Sequence, residues 1–115
     1  MKRDFKIWAG NTGTVENPDG IVLRFRAGGD IEDLTGSQFV IRAVNSVNGV
    51  EVLRKNGDSG VVVDASEGTV TIPITLAESR SLPPRSRYEI EQRLGATQRV
   101  RLYGAIVVLG GVNDD

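Results

Sequence analysis

Glu89 and Glu91 are the side chains in this 115-residue chain whose types and spacing best suit catalysis. Residues i and i+2 of a strand share one face, and a pair of carboxyl groups is the acid–base machinery of glycoside hydrolases. The same spacing also suits a cross-strand charge ladder with Arg99 and Arg101 on the next strand. Exposed ion pairs of that kind contribute only about 0–1 kcal/mol each. We predict the structural ladder, and we predict no catalytic residue.

The chain contains no histidine and no cysteine. It therefore lacks the most common general base and the most common metal ligand. Zinc sites built from cysteine and histidine are excluded, as are Ser-His-Asp and Cys-His catalytic groups. The composition predicts a protein that is not an enzyme and has no cofactor.

Two oxygen-rich turns resemble calcium loops in composition only. One contains Asp30, Glu32 and Asp33, and the other covers residues 56–58. Neither has the ligand spacing of an EF-hand loop, and such turns are common between strands. No glycine-rich phosphate-binding motif is present. We predict ordinary turns and no metal site.

Arginines are concentrated between residues 80 and 101, although the net charge is −1 and the isoelectric point is near 5.5. Acidic residues interrupt this cluster and few aromatic residues accompany it, which argues against nucleic acid and favours a protein partner. The single tryptophan, Trp8, suits either the core or the anchor of an interface. The residues that we predict to form an interface are Trp8, Arg87, Arg99, Arg101 and Tyr103.

Alternation of apolar and polar residues recurs along most of the chain and predicts short strands with one buried face. In the last hairpin, Tyr88 and Ile90 should face Val100 and Leu102 in the core. Residues 77–82 have helical composition but are followed by two prolines, which limits them to one turn. The pattern predicts an antiparallel, immunoglobulin-like β-sandwich. Its seven to eight strands should cover residues 5–9, 21–26, 37–44, 50–55, 61–64, 69–76, 86–93 and 98–109.

The length suits one domain over residues 1–115, with residues 112–115 as a loose tail. The first ten residues are basic but lack the apolar core of a signal peptide, so we expect synthesis in the cytoplasm. The longest apolar run, residues 105–109, is far shorter than the ~20 residues of a membrane-spanning helix. We therefore expect no membrane partner.

An ordered set of short motifs spans residues 5 to about 111: KIWAGNTGT, DLTG leading into FVIRAV, VLRK, EGTVTIPITLAESRSLPP, YEIE and RVRLYGAIVVLGG. In this order and spacing, the chain resembles small virion proteins of tailed bacteriophages. The resemblance is to the immunoglobulin-like N-terminal domain of upper-baseplate proteins and to related tail- and fibre-associated proteins. Residues 84–86 depart from the glycine-containing turn that such sequences often have. Upper-baseplate proteins also continue into a fibre or linker, whereas this sequence stops at Asp115.

The resemblance implies a non-catalytic structural protein of the virion, made in the bacterial host and acting as an adaptor in the tail baseplate or fibre attachment region. Its partners would be other virion proteins. A homotrimer or a higher cyclic ring is expected, because virion parts form symmetric rings. The alternatives are a capsid decoration protein, a small carbohydrate-binding module and, least consistent with the composition, a carboxylate glycosidase.

Overall fold

Short strands separated by turns make up most of the computed structural model, which describes residues 1–110. The predicted loose tail at residues 112–115 lies outside this range. The ten strands found within it are β1 (Phe5–Trp8), β2 (Ile21–Arg24), β3 (Arg26–Ala27), β4 (Asp30–Ile31), β5 (Gln38–Asn45), β6 (Glu51–Lys55), β7 (Val62–Asp64), β8 (Thr69–Ile72), β9 (Arg85–Leu94) and β10 (Thr97–Leu109). A single α-helix, α1 (Leu76–Ser81), and a 3-10 turn (Gly57–Ser59) accompany them in the described part. The all-β prediction is confirmed.

The strands form a five-stranded sheet in the order β1-β10-β9-β5-β6, a three-stranded sheet in the order β2-β8-β7, and the small hairpin β3-β4. All neighbouring strands are antiparallel except β1, which runs parallel to β10. The prediction of a purely antiparallel fold is therefore wrong at this edge. The cause is non-local: the chain's first strand is added beside its last, with Phe5 opposite Ile106.

A single hydrophobic cluster joins the two larger sheets. Every second residue of each central strand points into it, as the alternating pattern predicted. Fully buried side chains come from both sides, and they include Ile7, Ile41, Ile90 and Ile106 from the five-stranded sheet and Ile21, Val70 and Ile72 from the three-stranded sheet. Packing of this core fixes which face of the five-stranded sheet remains outside.

The segment after β8 differs from the predicted strand over residues 69–76. β8 ends at Ile72, because Pro73 has no N–H group to donate to a neighbouring strand. Thr75 then caps α1: its side chain accepts a hydrogen bond from the Glu78 N–H group, and the Glu78 carboxylate accepts one from the Thr75 N–H group. The helix ends at Ser81, just before Leu82 and the two prolines. It lies one residue earlier than predicted.

No helix in residues 1–110 has the length and apolar character needed to cross a bilayer.

Two partly buried ion pairs hold connecting segments onto the sheets. The Lys55 ammonium group lies 2.8 Å from the Glu78 carboxylate and also donates to the Pro73 carbonyl. Arg101 makes two hydrogen bonds to Glu32, with N–O distances of 2.7 and 2.9 Å.

The bonds from Arg101 lower the pKa of Glu32. Burial alone would raise the pKa of Glu78, but the bonds from Lys55 and Thr75 outweigh it, and the pKa is lowered.

These lowered pKa values predict that acid destabilises the fold. A carboxyl group with a lower pKa in the folded state contributes stability above its unfolded pKa of 4.5 and loses it as the pH falls through the folded value. We expect the free energy of unfolding, measured with urea, to fall steadily below about pH 5. Glu32→Gln and Glu78→Gln should each be less stable than the parent at neutral pH and should lose less stability in acid. Parallel pH profiles for parent and variants would contradict this prediction.

Candidate docking face

The face of the five-stranded sheet that points away from the core carries a mixture of basic and aromatic side chains. Neighbouring positions in register point the same way, so the buried residues identify which positions face outward. Row by row across the sheet, the outward residues are Lys2, Tyr103, Glu89, Arg42 and Arg54; then Asp4, Ala105, Arg87 and Val44; then Lys6, Val107 and Arg85; and finally Trp8 and Leu109. We call this surface the outer face.

A groove of about 450 Å³ crosses the outer face. Gly104 and Ala105 of β10 form its floor, because they present no side chain larger than a methyl group. The N-terminal segment borders it on one side with Lys2 and Asp4, and arginines of β9 and β5 border it on the other. The groove therefore exists where the small side chains of one strand lie between two rows of long charged ones.

The N-terminal segment is held tightly against β10 at this point. The Arg3 N–H group donates to the Tyr103 carbonyl at 2.9 Å, and the Asp4 carboxylate accepts from the Ala105 N–H group at 2.9 Å. The buried Tyr88 hydroxyl donates to the Arg3 carbonyl. Burial raises the pKa of Tyr88, so its hydroxyl remains a donor at neutral pH. This wall of the groove is consequently hydrogen-bonded to the five-stranded sheet.

Charge around the groove is predominantly positive. Lys2, Arg42, Arg85 and Arg87 line it together with two acidic residues, Asp4 and Glu89. Arg42 is already paired with a carboxylate of β6 at 2.9 Å. Arg85 and Arg87 are exposed and form no ion pair with any residue in the range 1–110. Their guanidinium groups are therefore available to a partner, as are the exposed Lys2 and Lys6 ammonium groups, which also form no ion pair in this range.

Three of the five predicted interface residues lie together on the outer face. Trp8 is 42% exposed and Tyr103 is 50% exposed, so the core alternative for Trp8 is wrong. Arg87 lines the groove beside Tyr103. Whether this face contacts a partner remains a prediction.

The other two predicted residues, Arg99 and Arg101, lie on the opposite side of the sheet. A β-bulge between Val100 and Leu102 inserts one extra residue into β10. The residues of β10 before the bulge therefore face the opposite side of the sheet from the one that a regular strand would give them. Val100 becomes 46% exposed instead of facing the core, and Arg99 lies opposite the buried Gln92. The Arg101 side chain is only 14% exposed, because it reaches Glu32 on the inner side.

The predicted charge ladder in the β9–β10 hairpin is also wrong. Glu91 pairs with Arg93 on its own strand at 2.7 Å, and Glu89 forms no ion pair within residues 1–110. The bulge is again the reason, since it moves Arg101 to the other face of the sheet.

Both oxygen-rich turns contain a predicted Asx turn, at Asp33 and at Asn56, and Glu32 forms an ion pair that was not predicted. Glu32 binds Arg101, and the Asp33 carboxylate accepts hydrogen bonds from Thr35, which lower its pKa. Asn56 caps the 3-10 turn by accepting from the Asp58 N–H group at 2.9 Å. In the described range, no three histidine, cysteine, aspartate or glutamate side chains are grouped so as to hold a metal ion.

Several residues of the groove were not identified from the sequence. Lys2, Asp4 and Arg42 reach the groove only through the parallel β1–β10 pair and the β5–β9 pair, which join segments far apart in the chain. One local signal was present. Gly104 interrupts an otherwise apolar strand, and a glycine within a strand often marks a close backbone approach.

No family model matches this chain, and no curated protein matches it.

Proposed function

We propose that this protein is a non-catalytic structural subunit of a bacteriophage virion, an adaptor in the tail baseplate or fibre attachment region that docks partners through its outer face. The observation that carries the docking role is the exposure of Trp8 and Tyr103 on the same face as the unpaired Arg87. Tryptophan, tyrosine and arginine are the residues most enriched at the energetic centres of protein interfaces. The virion assignment rests on the sequence resemblance.

We further propose that the two larger sheets form an immunoglobulin-like sandwich. In such folds, strands B, E and D share one sheet, and strands G, F and C share the other, with C′ added beside C in the variable type. The orders β2-β8-β7 and β10-β9-β5-β6 agree with those two sets. This arrangement supports the resemblance to the N-terminal domain of upper-baseplate proteins.

In the virion, the subunit would form a homotrimer or a higher cyclic ring after synthesis in the cytoplasm of the bacterial host. In a heterologous contact each copy presents one surface to a different surface of the next copy, and a ring forms when the rotation between copies closes. The outer face and the opposite sheet offer two such surfaces. The subunit would then bind other virion proteins, with no nucleic acid or membrane partner.

The spacing of the exposed aromatic residues favours protein docking over the carbohydrate-binding alternative. Trp8 lies beside Leu109, which is six residues along β10 from Tyr103. At the rise of a strand, this separation is roughly 20 Å. The two rings therefore cannot stack on one sugar unit, whereas an extended protein interface can include both.

The capsid decoration alternative uses the same face and differs only in the location of the subunit in the particle.

The double variant Trp8→Ala/Tyr103→Ala tests the docking role. We expect its incorporation into particles to fall at least about tenfold, because truncation of interface anchors commonly costs ~2 kcal/mol or more. Incorporation is measured by immunoblot of purified particles after complementation of a phage that lacks the subunit. Circular dichroism and the melting temperature of the purified variant should match those of the parent, since both side chains are exposed.

The matched control is Val47→Ala, which truncates an exposed side chain in the turn between β5 and β6, on neither sheet face. This variant should be incorporated like the parent. Normal incorporation of the double variant, or an equal loss with the control, would contradict a docking role for the outer face.

A further inference from the structure

We propose that the groove of the outer face receives an acidic, extended segment of a partner protein, with carboxylates at every second residue. The proposal rests on the docking function above and gives the chemistry of the partner. Its starting point is the imbalance of charge around the groove, where four basic side chains meet two acidic ones.

The acidic residues of the lining do not neutralise the available arginines. Asp4 uses a carboxylate oxygen to accept the Ala105 N–H group, and neither it nor Glu89 forms an ion pair with Arg85 or Arg87. Even without Arg42, which is paired with Glu51, three basic side chains of the lining outnumber the two acidic ones, and the guanidinium groups of Arg85 and Arg87 have no ion-pair partner within residues 1–110. A carboxylate is the protein group that best matches a guanidinium, because two parallel N–H···O bonds can form between them.

The spacing of the arginines gives the spacing of the ligand. Arg85 and Arg87 are residues i and i+2 of β9, so they share one face, with Cα atoms about 7 Å apart. An extended partner segment has the same period, and its alternate side chains project to one side at the same interval. Two carboxylates at i and i+2 therefore match the two guanidinium groups.

The groove has the size and surroundings of a site for a few side chains. Its volume of about 450 Å³ lies within the range of roughly 300–1,000 Å³ that is usual for ligand sites. The small side chains of Gly104 and Ala105 allow close approach to β10, and Tyr103 supplies an exposed ring at the margin. Nucleic acid fits less well, because one exposed tyrosine gives no series of stacking platforms.

A fluorescein-labelled peptide of the sequence Glu-Ser-Glu-Ser-Glu-Ser tests the proposal on the full chain by fluorescence anisotropy. We expect it to bind at least about tenfold more tightly than the matched peptide Lys-Ser-Lys-Ser-Lys-Ser. The affinity should fall markedly between about 0.05 M and about 0.5 M salt, because the contacts are exposed ion pairs. The variant Arg85→Glu/Arg87→Glu should lose the acidic peptide. Arg26→Glu, an exposed arginine on the separate β3–β4 hairpin, should retain it.

The outcomes separate this inference from the docking function. Equal binding of the two peptides, equal loss in both variants, or tighter binding of a labelled oligothymidylate would overturn the acidic-partner proposal. The acidic-partner proposal could fail in one of these ways while the Trp8→Ala/Tyr103→Ala variant is still missing from particles. The docking function would then be supported without an acidic partner. Melting temperatures of all variants confirm that each remains folded. The variant Arg87→Gln gives a second test of the acidic-partner proposal, because it removes the guanidinium group without introducing a negative charge.

Discussion

Replacing Arg101 by glutamate is expected to lower the free energy of unfolding by roughly 3 kcal/mol, in the range measured when one partner of a buried ion pair is removed. For a domain of this size the melting temperature should then fall by roughly 10 °C or more. Thermal and urea unfolding of the purified variant measure this effect directly.

The reason is that Arg101 joins three segments of the structure. Its guanidinium makes two hydrogen bonds to Glu32, donates to the Gln92 side-chain carbonyl, and lies 4.5 Å above the centre of the Phe25 ring. Glu32 is itself only 21% exposed. A glutamate at position 101 would leave two carboxylates facing each other in this partly buried space, with no cation between them.

Arg99→Glu is the matched control, since it reverses an exposed charge two residues away on the same strand. Surface changes of this kind are usually within about 0.5 kcal/mol of neutral. If both variants lost similar stability, or if Arg101→Glu melted like the parent, the bulged geometry of β10 would be wrong. If the Arg101→Glu variant were as stable as the parent but failed to assemble, Arg101 would belong to the interface, as the sequence predicted.

Gly104→Ala is expected to cost roughly 2–4 kcal/mol, although it adds only one methyl group. A Cβ atom at this position would lie 2.1 Å from the Arg3 carbonyl oxygen and 2.9 Å from the Asp4 carboxylate. The N-terminal segment would have to move away from β10, and the Tyr88 hydroxyl would lose its acceptor. A buried donor left without a partner costs about 1–3 kcal/mol by itself. Urea unfolding and hydrogen exchange at the Ala105 amide report the two effects.

Gly57→Ala is the matched control for this change. A Cβ atom there meets nothing within 4 Å, and the backbone is not in the left-handed region. We expect a change of less than about 1 kcal/mol. Equal stability of the two alanine variants would show that the N-terminal segment does not pack on β10 as described.

The regular parts of the fold could be predicted because each rests on a local pattern. Burial of one sheet face imposes a period of two, and residues 39–44 and 86–93 follow it. The short helix could be placed because Pro83 and Pro84 end it, although its first residue depends on the Thr75 cap. These features need no knowledge of which strands pair.

Features that depend on pairing could not be read from the pattern. The apolar residues Val100 and Leu102 are two apart, so the sequence looks like a regular strand, yet the bulge places one outside and the other inside. Arg101 was accordingly assigned to the wrong face. The parallel β1–β10 pair joins the ends of the described chain, and it alone brings Lys2 and Asp4 to the groove. The wall of the groove formed by Lys2 and Asp4 therefore depended on contacts with no local signal.

Electron cryomicroscopy of the intact phage particle decides whether the outer face docks a partner, because it locates the subunit and shows which surface is covered. We expect a ring of copies at the baseplate or fibre attachment region, with Trp8, Arg87 and Tyr103 buried against a neighbouring protein. This expectation would be contradicted by particles that lack the chain, or by a subunit whose outer face is open to solvent while another surface makes every contact.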